Sequence, residues 1–357
     1  MIGRKLDFKM KRFVSLLLTF VMCLSLAACA KAPTEVTKID DNTITVTDMM
    51  GREVKVPKDT KSNTVGSTYG VATPFLATLN ISDRVLACNF KNKSFYRLAG
   101  DSIISAGSIG TTIVLDSEAL AALAPDVYIC KISDQEKIDI ATKLGIPAIT
   151  LSAEIPEEVL KTYEMLGTIF GCEDRAKEIV DYLNKELAEI DKLAATIPEE
   201  SKKTALCMGS EFSRVAGEDM LQTIMLQRIG AITLVDGIVG EEERYWADCG
   251  VEKVFELNPD YLFVTSSAVL DFKMDDFYND SSWSAMTAVK NKNIYQIPAK
   301  IDSWDMPGPG FVLGMYYMMH CIYPNVVSTD LLQEKVDNYY TFLYGKTFTG
   351  EEIGYEF

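Results

Sequence analysis

The residue types that carry most protein chemistry are thinly supplied in this 357-residue chain. Its single histidine, His320, sits in the apolar stretch "LGMYYMMHCIY", where a satisfied core histidine is expected rather than a ligand. A histidine cluster for free zinc, manganese or nickel cannot be built. Past Cys29 the six cysteines (Cys88, Cys130, Cys172, Cys207, Cys249, Cys321) are widely spaced without a CxxC pair, which indicates neither a zinc site nor a dense disulfide framework. No Walker loop, GxSxG elbow, HExxH or GxGxxG occurs, so an enzyme is not expected. What the chain does supply is aromatic side chains beside basic ones in polar stretches: "NFKNKSFYR", "GSEFSRVAG" and "EERYWADCG", with "IDSWDMPGPG" adding a tryptophan on a Pro/Gly turn. Rings provide area and guanidinium groups provide paired donors, a combination suited to a bulky, partly apolar, negatively charged metal chelate.

The elements that must position these stretches follow a repeated rhythm. "NTITVTDMMGREVKVP" alternates apolar and polar residues around a turn and predicts a β-hairpin. Strand-like "DRVLACNF", "DVYIC" and "PAITL" then alternate with helix-like "SEALAALA" and "QEKIDIATKLG", for which Ser133 is the expected cap and Gly145 the stop. "TALCMG", "ITLV", "DYLFVTS" and "NIYQIP" repeat the pattern with "MLQTIMLQRIG" and "VEKVFELN". Between the halves, Ala176, Ile179, Val180, Leu183, Leu187, Ile190 and Leu193 keep the three-four spacing of one long amphipathic helix. The fold class expected is α/β: two α/β lobes bridged by one long backbone α-helix.

The amino terminus reads as an export signal. Arg4, Lys5, Lys9, Lys11 and Arg12 precede an apolar run that ends in "LAAC", a bacterial lipobox pattern with Cys29 as lipid acceptor; an ordinary secretory peptide cleaved after Ala28 is the alternative. The signal carries five positive residues and one negative, so its loss takes the formal charge from −16 to −20. So acidic a chain is not expected to bind nucleic acid. Expected bounds are 1–28 for the signal, 29–43 for a tether, 44–171 for the first lobe, 172–197 for the linking helix, 198–325 for the second lobe, and 326–357 for a C-terminal helix and tail.

One sentence is written twice. "EALAALAPDVYIC" from Glu118 and "EKVFELNPDYLFV" from Glu252 lie 134 positions apart, each opening a short helix with a glutamate and closing it with Pro-Asp before an apolar strand. With "ITVTDMMGREVKVP" at the mature start and "SWDMPGPGFVLGMYYMMHCIYP" near the end, this order resembles the solute-binding lipoproteins of ABC importers for iron–siderophore, haem and cobalamin chelates.

The resemblance implies a ligand cleft between the lobes, lined by loops at the carboxyl ends of their strands. On that basis the ligand-binding residues expected are Tyr69, Phe90, Lys91, Tyr96 and Arg97 from the first lobe, and Phe212, Arg214, Tyr245, Trp246 and Trp304 from the second. Core packing is the competing role for Phe90, Phe212 and Trp304. The resemblance also implies that Glu118 and Glu252 dock with arginines of a permease dimer; stabilising their helix amino termini is the plainer alternative. The function implied is capture of an Fe(III)–siderophore by a monomer anchored through Cys29 to the outer face of the cytoplasmic membrane, with no cofactor of its own. Cobalamin or another corrinoid, haem, or another metal complex are alternative ligands, and an enzyme or an adhesin or sensor on the same fold is the alternative class.

Overall fold

The computed structural model describes residues 42–58, 65–89, 98, 100–240, 246–265 and 270–355. The first lobe opens with the expected hairpin, β1 (Thr43–Thr47) paired antiparallel with β2 (Glu53–Pro57). Asp48 fastens it to the body. Its buried carboxylate accepts from the Arg52 guanidinium, the Arg52 and Met50 amides, and the Thr150 amide and hydroxyl (2.7 Å). Burial alone would push this carboxyl up, but the hydrogen bonds from Arg52 and Thr150 outweigh it and hold it below its usual value.

A parallel sheet follows in the order β4 (Val85–Ala87), β3 (Val65–Ser67), β5 (Val127–Lys131), β6 (Ala148–Leu151). Strands β3 and β6 are wholly buried and β5 nearly so, as a sheet covered on both faces requires. Among the helices are α1 (Ala72–Thr78), α2 (Asp101–Ser105), α3 (Ser117–Leu123), α4 (Gln135–Lys143) and α5 (Pro156–Phe170). Helix α4 departs from expectation at its start: the residue before it is Asp134, not Ser133, and the Asp134 carboxylate accepts from the Lys131 amide and the Lys137 ammonium. Gly145, at φ +75°, ends it as expected.

In the second lobe, β7 (Thr204–Met208), β9 (Ile232–Thr233), β11 (Tyr261–Val264) and β12 (Ile294–Gln296) run parallel in the order β9–β7–β11–β12. The first lobe has the same winding: first strand between second and third, fourth outside the third. The second lobe adds an antiparallel ribbon, β8 (Arg214–Ala216) against β10 (Trp246–Asp248).

The repeated sentence occupies the same place in both windings. Helix α3 and its counterpart α8 (Val251–Leu257) are each seven residues long and lead into the third strand. Leu120 and Val254 are fully buried beneath them, with Leu123 and Leu257 half-buried. Both helices end on a left-handed residue, Ala124 (φ 44°) and Asn258 (φ 42°), whose amides bond back to the Leu120 and Val254 carbonyls. Helix α7 (Leu221–Arg228) lies between β8 and β9 in sequence.

The linking helix α6 is continuous from Glu173–Ala194, about 33 Å at 1.5 Å per residue. Ala176, Ile179, Val180, Leu183, Leu187 and Ile190 are buried, as their spacing predicts. Two short helices, α9 (Asp276–Asn279) and α10 (Thr287–Lys290), precede the last pair, α11 (Phe311–Ile322) and α12 (Thr329–Tyr344), and α13 (Gly350–Ile353) closes the chain. Helix α12 lies along the linking helix: the buried Glu186 carboxylate accepts from Lys335 Nζ (2.9 Å) and Tyr316 Oη (2.8 Å), and Lys335 also reaches Glu189. Arg175 ties the same helix to the Thr78, Phe342 and Leu343 carbonyls. The linking helix is therefore the middle of a braced bundle.

Candidate functional site

In open α/β sheets the binding edge is the carboxyl edge, where β3 runs into Thr68 and Tyr69, β4 into Asn89, and β6 into Ser152 and Glu154. In the first lobe these loops form one polar network. Asn89 Nδ2 donates to the Thr68 carbonyl (3.1 Å) and to Thr112 Oγ1 (2.7 Å), Thr68 Oγ1 pairs with Tyr128 Oη (2.6 Å), and Lys137 Nζ donates to Asp134 and to the Thr112 carbonyl. Tyr69 is buried here, with its hydroxyl donating to Glu154 Oε1 (3.3 Å), and Glu158 accepts from Ser152 Oγ and the Glu154 amide. Burial and then the Glu154 charge push the Tyr69 phenol well above its usual value, which keeps it a neutral donor to Glu154. Asn89 and Thr112 lie in the stretches "NFKNKSFYR" and "GSIGTT" that the sequence offers as ligand loops, without being named there, and Glu154 is the member that sequence reasoning missed.

In the second lobe the sequence-expected residues divide. Arg214 and Trp246 meet around Gly209, at the end of β7: a Cβ on Gly209 would stand 3.1 Å from Arg214 Cβ and 3.0 Å from the Trp246 ring. Glycine is what lets the indole lie flat against the backbone there. Arg214 also pairs with Glu211 at 3.2 Å, both half-exposed, and Trp246 is half-buried. Phe212 belongs mainly to the core, its ring stacked on Phe272 at 4.2 Å and set against Phe277 and Trp283.

Trp304 corrects expectation outright. The Pro/Gly turn carries it facing inward: it is fully buried, and its indole N–H donates to Tyr340 Oη (3.1 Å). The cause is the C-terminal cover, which supplies Tyr340 from α12 and Tyr355, whose ring lies 5.3 Å away. Beside it, buried Asp305 accepts from Thr265 Oγ1 (2.7 Å), while Met306 is the exposed member of the turn. Gly308 approaches Pro74 of α1, so this turn joins the two lobes. Phe90, Lys91, Tyr96, Arg97 and Tyr245, with Cys29, the expected lipid acceptor, lie outside the described residues.

Glu118 and Glu252 are both exposed in the first turns of α3 and α8. His320 is half-buried, with Nδ1 2.8 Å from the Val327 carbonyl oxygen. Among the described residues no three His, Cys, Asp or Glu side chains are grouped to hold a metal ion, and no helix is long and apolar enough to cross a membrane. The six described cysteines are free thiols, and burial pushes Cys130 up to about 12.

Comparison with known proteins agrees with this architecture. The ABC transporter substrate-binding lipoprotein YvrC of Bacillus subtilis is 24% identical over 289 residues, 79% of this chain and 86% of that protein. The petrobactin-binding protein YclQ of the same organism is 24% identical, over 84% and 95% of the two chains. The crystal structure of the Haemophilus influenzae molybdate-binding protein MolA superposes with a TM-score of 0.75 at 17% identity, covering 86% of this chain and 99% of that one. Residues 67–301, spanning both lobes and the linking helix, match the periplasmic binding protein family. With two lobes of equal winding and one bridging helix, the chain belongs to that family, the solute-binding proteins of ABC transporters.

Proposed function

We propose that this protein captures an Fe(III)–siderophore at the cell surface and delivers it to an importer permease, acting as a binder and not as an enzyme. The observation that carries the ligand class is the corner over Gly209, where the Trp246 ring and the stem of Arg214, whose guanidinium pairs with Glu211, come together at the end of β7: an aromatic ring and an arginine at one strand end suit a wide, partly apolar anion. A compact oxyanion such as the molybdate of MolA would call for uncommitted donors. On the first-lobe edge, Asn89 Nδ2 already donates to two protein acceptors and Ser67 Oγ to the Ile129 and Tyr69 carbonyls. The chelator supplies the metal's coordination, so the protein needs no cofactor. The siderophore relative YclQ supports the same reading.

Delivery follows from Glu118 and Glu252, one exposed acidic point per lobe, which meet basic groups on the two permease subunits. Lipid on Cys29 holds the monomer at the outer face of the cytoplasmic membrane.

Tryptophan fluorescence tests the ligand. Trp283 and Trp304 are buried, so the part of the quenching lost in Trp246→Phe reports contact at Trp246. Saturable quenching is expected with ferric petrobactin or another ferric siderophore, and Trp246→Phe reduces it. A response confined to haem, cobalamin or molybdate would overturn the assignment.

A further inference from the structure

Just before Glu118 the chain makes a turn that presents apolar side chains to solvent. Ile113 is 88% exposed and Val114 64%, the two most exposed large apolar side chains among the described residues. Single exposed aliphatics are ordinary. These two are adjacent, and their turn is held from several sides. The Thr111 amide donates to the Val114 carbonyl (2.7 Å), Thr111 Oγ1 accepts from the Ile113 and Val114 amides, and the Asp116 amide donates to the Ile109 carbonyl. Gly110 sits at φ +125°, where a Cβ would stand 2.2 Å from the Val114 carbonyl oxygen, so only glycine closes the turn. Outside the turn, Thr112 is gripped by Asn89 and Lys137.

The tip thus keeps its shape while offering two branched side chains to solvent, and its flank is acidic. Asp116 is exposed and caps α3 through the Ala119 amide (2.9 Å), and Glu118 stands in the first turn of that helix. Among the described residues the second lobe shows no such turn: α8 follows directly from the β10 segment, with exposed Asp248 and half-buried Cys249, Gly250 and Val251 ahead of Glu252.

We infer that the Ile113–Val114 tip is an apolar anchor for the permease, inserted into an aliphatic-lined depression next to the basic group that receives Glu118. This deepens the docking role proposed above and rests on it. Continuity with Glu118, five residues on, favours the permease as occupant, and a preformed tip binds without first having to be ordered. The two contact points are then unequal, one apolar and acidic, the other acidic alone.

The test measures binding of the full chain to its importer complex held in nanodiscs, with ferric petrobactin quenching of Trp246 as a parallel readout. Ile113→Ser with Val114→Ser is expected to weaken docking about tenfold or more while leaving thermal midpoint and quenching unchanged. Ile113→Val with Val114→Ile should restore it. Docking unaffected by the serine pair but lost in Glu118→Ala would overturn the anchor and spare the docking glutamates. Serine variants that weaken quenching and leave docking intact would make the tip a cleft element and also overturn it. Failure of the unaltered chain to dock would remove both readings.

Discussion

Helices α3 and α8 are the same unit built twice, yet each is fastened at the opposite end. The first is secured where it begins: the Asp116 carboxylate caps it, whereas α8 starts from Gly250 at φ 80° with no side chain to cap it. The second is secured where it ends. Asn258 Oδ1 accepts from the Thr287 amide (2.8 Å), and Asp260 clamps β11 to β7 through the Thr204 amide and hydroxyl (3.0 and 2.9 Å). In the first lobe, burial pushes the corresponding Asp126 up, with no hydrogen bond to pull it back. Winding and helix length are shared while the local fasteners differ, so the glutamate's position is the common product of two separate solutions.

The comparison can be broken most severely at the glutamates. Glu118→Ala with Glu252→Ala should abolish uptake in a transport assay with siderophore affinity unchanged; equal loss of both would make the residues structural. Next in size, Asp260→Ala should cost about 1–2 kcal/mol in denaturant unfolding, because two part-buried donors lose their acceptor, while Asp126→Asn should be close to neutral. A pH titration separates two other carboxylates. Asp302 is buried, and desolvation raises it to about 6 against the hydrogen bond from Tyr339 (2.8 Å). Because the folded state holds that proton more tightly, its contribution is full below the unfolded value of 3.8 and lost as pH rises through about 6. Asp48, lowered, behaves oppositely: its contribution is present above 3.8 and lost as pH falls through its folded value. Urea midpoints at pH 4 to 7 should therefore decline in the wild type relative to Asp302→Asn, on the order of 1–3 kcal/mol; a flat difference would contradict this. Smallest is the left-handed cap. Ala124→Gly should gain about 1 kcal/mol or less, and Asn258→Ala should lose about 1–2 kcal/mol, by thermal unfolding.

Most of the framework was legible because it is written in periodicity. The hairpin, strands β5, β6, β7 and β11, and the linking helix all follow from local patterns of two or three-four. Of the three-residue strands, β4 and β12 fall within the expected "DRVLACNF" and "NIYQIP", but β3 hides in the Gly-rich "VGSTYG" and β8 pairs with β10 across an intervening helix and strand. Site residues were legible by type and less so by orientation. Arg214 and Trp246 converge, but Trp304 looked exposed because its own neighbours are polar and turn-forming. What buries it is Tyr340, 36 residues away, and no local window contains that fact.

The braced bundle around the linking helix has a mechanical consequence. A Glu186–Lys335 pair taken out of water resists being pulled apart, since each charge would lose its partner before regaining solvent. On the function proposed above, this brace predicts a stiff caliper rather than a trap that shuts: scattering profiles should change little on loading, and release of the ligand would call for force applied to the two lobes by the permease.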